Sequence, residues 1–168
     1  MADEKANEQG KELYAHAGLA LYWAQCFEKS LENLLYLCAR VSGNSLTLEE
    51  LEALDRELEK QTLGRLLADA RKLVTFGADA EELLGFALGR RNFLVHRFFK
   101  AHADDAMTSA GRELMIAELI EIQKCFQTAD LPASVGCKAL GKILGISDEM
   151  IEHDLQQLKS DWIGWNSG

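Results

Sequence analysis

A chain of 168 residues, 48% hydrophobic and 27% charged, is long enough to close one core and too short for two full domains. Its formal charge of -9 and pI near 4.9 exclude a protein that coats nucleic acid or anionic membrane with its whole surface, so any polyanion must be met locally. No apolar run is long enough to span a bilayer and "MADEKANEQG" lacks the apolar core of a signal peptide, so a soluble cytoplasmic protein is expected.

In chain order, Leu13, Ala17, Ala20, Ala24, Phe27, Leu31, Leu34 and Cys38 recur at steps of four and three, the stripe of one long helix that "SGN" at Ser42 to Asn44 should stop. Thr47 with Glu50 has the form of a capping box. Leu51, Leu54 and Leu58 follow, predicting a second helix towards Val74 with a break at Gly64. Asp79 is the expected N-cap of a third helix through Ala101. After "ADDAMT", Met115, Leu119, Ile122, Phe126 and Ala129 form the core stripe of a fourth helix, expected to end before Pro132. No stretch alternates with period two over strand length. The expectation is an all-α, antiparallel helical bundle over residues 1–131 with a C-terminal helical appendage over 132–168.

The third helix carries "GRRNFLVHRFFK" from Gly89 to Lys100. Leu84, Leu88, Arg91, Val95 and Phe98 fall on one stripe, so Arg91 stands where its neighbours suggest an apolar residue. Asn92 and His96 are one turn apart on the adjacent line, able to reach the same group, while Arg91 and His96 are roughly 140° apart around the helix. Between Leu83 and Ala103 there is no acid, and Arg90, Arg91, Arg97 and Lys100 concentrate positive charge in an acidic chain. Histidine can give or take a proton near neutrality, arginine can grip phosphate oxygens with two bonds, and asparagine can orient either. A phosphate site on nucleic acid or nucleotide is the sharper reading of this pattern. The plainer one is a hydrogen-bonded structural pair, with Arg91 held by a carboxylate on the facing helix such as Glu28 or Glu32.

"RNFLVH", from Arg91 to His96, resembles the signature of the HEPN superfamily, in which an arginine and a polar residue precede a histidine within one helix of a small bundle. The likeness covers about ten residues in motif and Gly10 to Asp130 in architecture. It implies a metal-independent endoribonuclease or RNA-binding relative, toxin or defence related, with Arg91, Asn92 and His96 catalytic; the local basic cluster, read by itself, places Arg90, Arg97 and Lys100 on phosphate. The likeness further implies a homodimer, no cofactor, and an antitoxin or other regulatory protein as partner. In one toxin branch a partner modifies a tyrosine two residues beyond the histidine. Here that residue is Phe98, and this route of control is not implied.

Other features are weaker. His16, His102 and His153 have no metal-ligand spacing and read as surface or satisfied histidines. Cys26, Cys38, Cys125 and Cys137 form no CxxC pair and read as half-buried reduced thiols; Trp23, Trp162 and Trp165 read as packing residues. Gly85, Gly89, Gly141 and Gly145 are helix-spaced singles, expected to permit close packing. "LGKILGISDEMIEHDLQQL" is reminiscent of a helix-turn-helix with its turn at Gly145, but Asp148, Glu149, Glu152 and Asp154 would face DNA phosphates with the wrong sign. Ser147 then reads as an ordinary N-cap. A non-catalytic helical interaction protein is the alternative to the ribonuclease.

Overall fold

In the computed structural model of the chain, backbone is described for residues 2–42 and 46–165 and side chains for 7–42, 46–157 and 159. Most of the described residues are helical, and none of them lies in a strand. The elements are α1 (Ala2–Val41), α2 (Leu48–Leu58), α3 (Leu63–Leu73), α4 (Ala78–His96), α5 (Phe98–Ala101), α6 (Ser109–Ile143) and α7 (Asp148–Trp165), with a single 3-10 turn at Asp105–Met107. No helix among the described residues is long and apolar enough to cross a membrane.

The spine of the molecule is the seam between α1 and α6. Leu13, Ala17, Ala20, Ala24, Phe27, Leu31 and Leu34 bury one stripe, and Met115, Leu119, Ile122, Phe126, Ala129 and Ala133 bury the other. Each large aliphatic or aromatic side chain taken fully from water contributes about 1.5–3 kcal/mol, so these two stripes dominate the core. Polar bonds fix their register: Gln9 donates to Glu113 at 3.0 Å, Gln123 donates to the His16 carbonyl at 3.0 Å, and the Cys137 thiol donates to the Ser30 carbonyl at 3.6 Å. Partners thus advance together along both helices, and α1 and α6 run parallel. The antiparallel arrangement expected from short links holds for α4, which runs against α1 (Arg91 to Glu28, and Phe99 of α5 to Tyr14) and therefore also against α6.

Three expected boundaries are corrected. Pro132 does not end the fourth helix; α6 continues to Ile143. Proline forfeits one backbone bond, but Ala129 and Ala133 on either side are fully buried on the same stripe, and that packing holds the helix through the defect. The second predicted helix is two, broken at Glu59 to Gln61 rather than Gly64, because Thr62 caps α3 by accepting from the Arg65 amide at 3.4 Å. Gly77, not Asp79, is the N-cap of α4, and Asp79 sits in its first turn. The Thr47 and Glu50 capping box forms as expected. Val41 ends α1 where "SGN" begins, although Gly43 and Asn44 lie outside the described residues.

Glycines divide sharply. A Cβ at Gly111 would collide with the backbone of Asp105, so the 3-10 turn lies directly on α6 at that point. Gly85 and Gly89 face open space, against the expectation of close packing; Gly145 supplies a positive φ of 76° where the chain leaves α6.

Candidate functional site on helix α4

Helix α4 stops at His96 because Arg97 leaves the helical region, with φ -133° and ψ -26°, and Phe98 starts the one-turn α5. Phe98 is fully buried and stacks edge-on with Phe93 (5.9 Å) and Phe99 (5.3 Å). This break re-registers the helix face. The buried line is Leu84, Ala87, Leu94 and Phe98, while Val95, expected on it, is 45% exposed. Arg91 does lie on the buried side, between Ala87 and Leu94 in register.

Its partner is Glu28 of α1, which accepts from the Arg91 Nε at 2.8 Å, both side chains retaining about a fifth of their exposure. Arg90 is likewise engaged. It pairs with Glu118 of α6 at 3.1 Å and lies 5.6 and 5.7 Å from the ring centroids of Phe86 and Phe93. The other oxygen of Glu118 meets His102 Nε2 at 2.8 Å, and Asp105 meets His102 Nδ1 at 2.8 Å. His102 is therefore a satisfied histidine. So is His16, paired with Gln123. His153 is exposed beside Asp154.

On the other side of α4, Asn92, His96 and Arg97 line one open hollow with Gly89 and Phe93. All three polar side chains are exposed, as is Lys100 on α5. Neither Arg97 nor Lys100 has an ion-pair partner among the described residues, in contrast to Arg90 and Arg91. The fold thus brings Asn92, His96 and Arg97 together, leaves Lys100 nearby on the same short segment, and turns Arg90 and Arg91 towards carboxylates. One copy presents one imidazole here: a single group for proton transfer, an amide to orient a phosphate, and a guanidinium to bind it.

Beyond Glu28, the sequence reading missed Glu118 as the shared partner of Arg90 and His102. Asp105, three residues from His102, had a local signal in its spacing; Glu118 had none. Elsewhere, all four cysteines are unbridged and partly buried, and Trp23 packs against the core; the side chains of Trp162 and Trp165 lie outside those described. No group of three or more metal-ligating side chains occurs among the described residues. Ser147 accepts from the Met150 amide at 3.2 Å as the N-cap of α7, whose Asp148, Glu149, Glu152 and Asp154 are exposed. Comparison of the chain with protein-family models, curated proteins and solved structures finds no match.

Proposed function

We propose that the Asn92, His96 and Arg97 face of α4 is a HEPN-like RNA-phosphate site that, in a two-copy assembly, cleaves RNA without a metal. The observation that carries the reading is the shared hollow: imidazole, amide and an unpaired guanidinium converge on one open surface. Metal-independent cleavage needs a base for the 2'-hydroxyl, an acid for the leaving oxygen and positive charge on the phosphorane. One copy offers one imidazole, so a twofold pair of His96 side chains completes the acid and base. Arg97 and Lys100 bind phosphate. Arg91, engaged with Glu28, acts in this proposal through positioning, by fixing α4 on α1.

The test is incubation of the purified protein with mixed RNA in excess EDTA beside His96→Ala. Fragments ending in 2',3'-cyclic phosphate from the parent alone support cleavage. A folded, dimeric parent that leaves RNA intact and does not retard it on a gel rejects the proposal.

A second reading, a non-catalytic helical interaction protein, is favoured by the Arg91 to Glu28 pair and by the exposed Tyr14, Val95 and Phe99 around the same helix. It predicts a dimer or heteromer that survives His96→Ala and shows no RNA retention.

A further inference from the structure

Away from α4, the C-terminal halves of α1 and α6 and the start of α7 line a half-open pocket of about 250 Å³. Tyr36 and Leu37 come from α1, Cys137 and Gly141 from α6, and Ile146 and Ile151 from the turn and α7. Two glycines make the room. Gly141 has no side chain to fill the floor, where an added Cβ would meet only Ile146 at 3.8 Å, and the positive φ of Gly145 swings the chain off α6. Residues 148–157 of α7 consequently remain exposed rather than packing back, and Ile151 keeps 44% of its surface at the pocket wall.

The lining is apolar with a polar rim. Burial pushes the Cys137 thiol up to about 11, so it stays protonated at neutral pH and behaves as a small apolar wall group. The rim holds Asn33, Lys138, Lys142 and Asp148. Neither lysine has an ion-pair partner among the described residues, and the rim carries more positive than negative charge in a chain of formal charge -9. The volume lies just below the roughly 300–1,000 Å³ typical of drug-sized ligands. A nucleotide would set a polar sugar and a multiply charged phosphate chain against this small apolar lining, and a bare anion would leave the lining unfilled.

We propose that this pocket binds a small amphipathic anion, an aliphatic or aryl body seated between Tyr36, Leu37, Gly141 and Ile146 with its single acidic head against Lys138 and Lys142. The apolar body supplies affinity by burial, and the two ammonium groups choose the sign of the head. The site is separate from the α4 hollow and does not depend on how that surface is read.

The probe is anilinonaphthalene sulfonate, an aryl body with one anionic group, titrated into the full chain and displaced with decanoate or, separately, decanol. The expected result is saturable fluorescence at one probe per chain, displacement by decanoate well ahead of decanol, and loss in Gly141→Phe, which fills the floor. Lys138→Glu with Lys142→Glu should weaken decanoate by about tenfold, the scale of two modest surface charge interactions. Ile151→Asp, on the exposed side of the wall, should also abolish binding and keeps the test decisive if Gly141→Phe does not fold. Non-saturable fluorescence, or binding unchanged in Ile151→Asp, overturns the site. Equal displacement by decanol and decanoate overturns the anionic head.

Discussion

The two faces of α4 share one short basic segment and meet opposite fates. On the bundle side, Arg90 and Arg91 receive carboxylates from two other helices, Glu118 and Glu28. On the solvent side, Arg97 and Lys100 receive none among the described residues, and Asn92 and His96 stand open beside them. A run of four cations that looks like one patch in sequence is thus two pairs in different surroundings, one met by carboxylates and one open to solvent. Partners delivered from residues 28 and 118 decide which charge remains available to a ligand, and local composition carries no trace of that decision.

The comparison breaks most severely at Phe98, the buried anchor of the Arg97 break that separates the two faces. Phe98→Ala should cost about 4 kcal/mol and lower the midpoint of thermal unfolding by about 10 °C. An unchanged melt would mean that burial does not hold the break. Next comes the closed pair: Glu28→Gln should cost about 2 kcal/mol, because Arg91 is left half-buried without its carboxylate. Replacing both Glu28 and Arg91 by leucine should restore much of that loss in a denaturant titration. A neutral Glu28→Gln would show the pair to be no more than a surface contact.

The open face should behave inversely. Arg97→Ala and Lys100→Ala should leave stability within about 0.5 kcal/mol, while each lowers the salt slope of single-stranded RNA binding by about 0.7 if it meets a phosphate. Arg90→Ala, by contrast, should move the melt more than the salt slope; the reverse pattern would dissolve the distinction between faces.

A last effect, confined to alkaline pH and absent near neutrality, sharpens the closed side farther along α6. The Cys137 thiol is raised from 9.0 to about 11 by burial, so the folded chain holds its proton where the unfolded chain has lost it. Its favourable balance is complete below pH 9 and fades as pH rises towards 11. Cys137→Val should flatten stability across that interval, as chemical unfolding at stepped pH would show.

Much of the fold was legible because its periodicity is strong. The stripes of α1 and α6, the capping box at Thr47 and the cap at Ser147 follow from local residue spacing, and all are present. Pro132 misled because its cost is local while the burial of Ala129 and Ala133 that offsets it is tertiary. The Arg97 break was hidden for a related reason: nothing in "VHRFF" forbids a helix, and it is the seating of Phe98 among aromatic neighbours that interrupts one. For the site, the anomaly of a cation on an apolar stripe narrowed the partner of Arg91 to a carboxylate such as Glu28 or Glu32, and Glu28 is the one it meets. Glu118 could not, because Arg90 lay off that stripe and raised no question.

The close approach at Gly111 bears on which sequences this fold can accept. Any other side chain there would push the 3-10 turn off α6, and that turn carries Asp105, one of the two carboxylates on His102. In a library of random substitutions, position 111 should therefore accept essentially nothing but glycine, while its exposed neighbour Ala110 varies freely. The tightest sequence constraint in this region would then fall on an atom that is absent rather than on any of the charged groups around it.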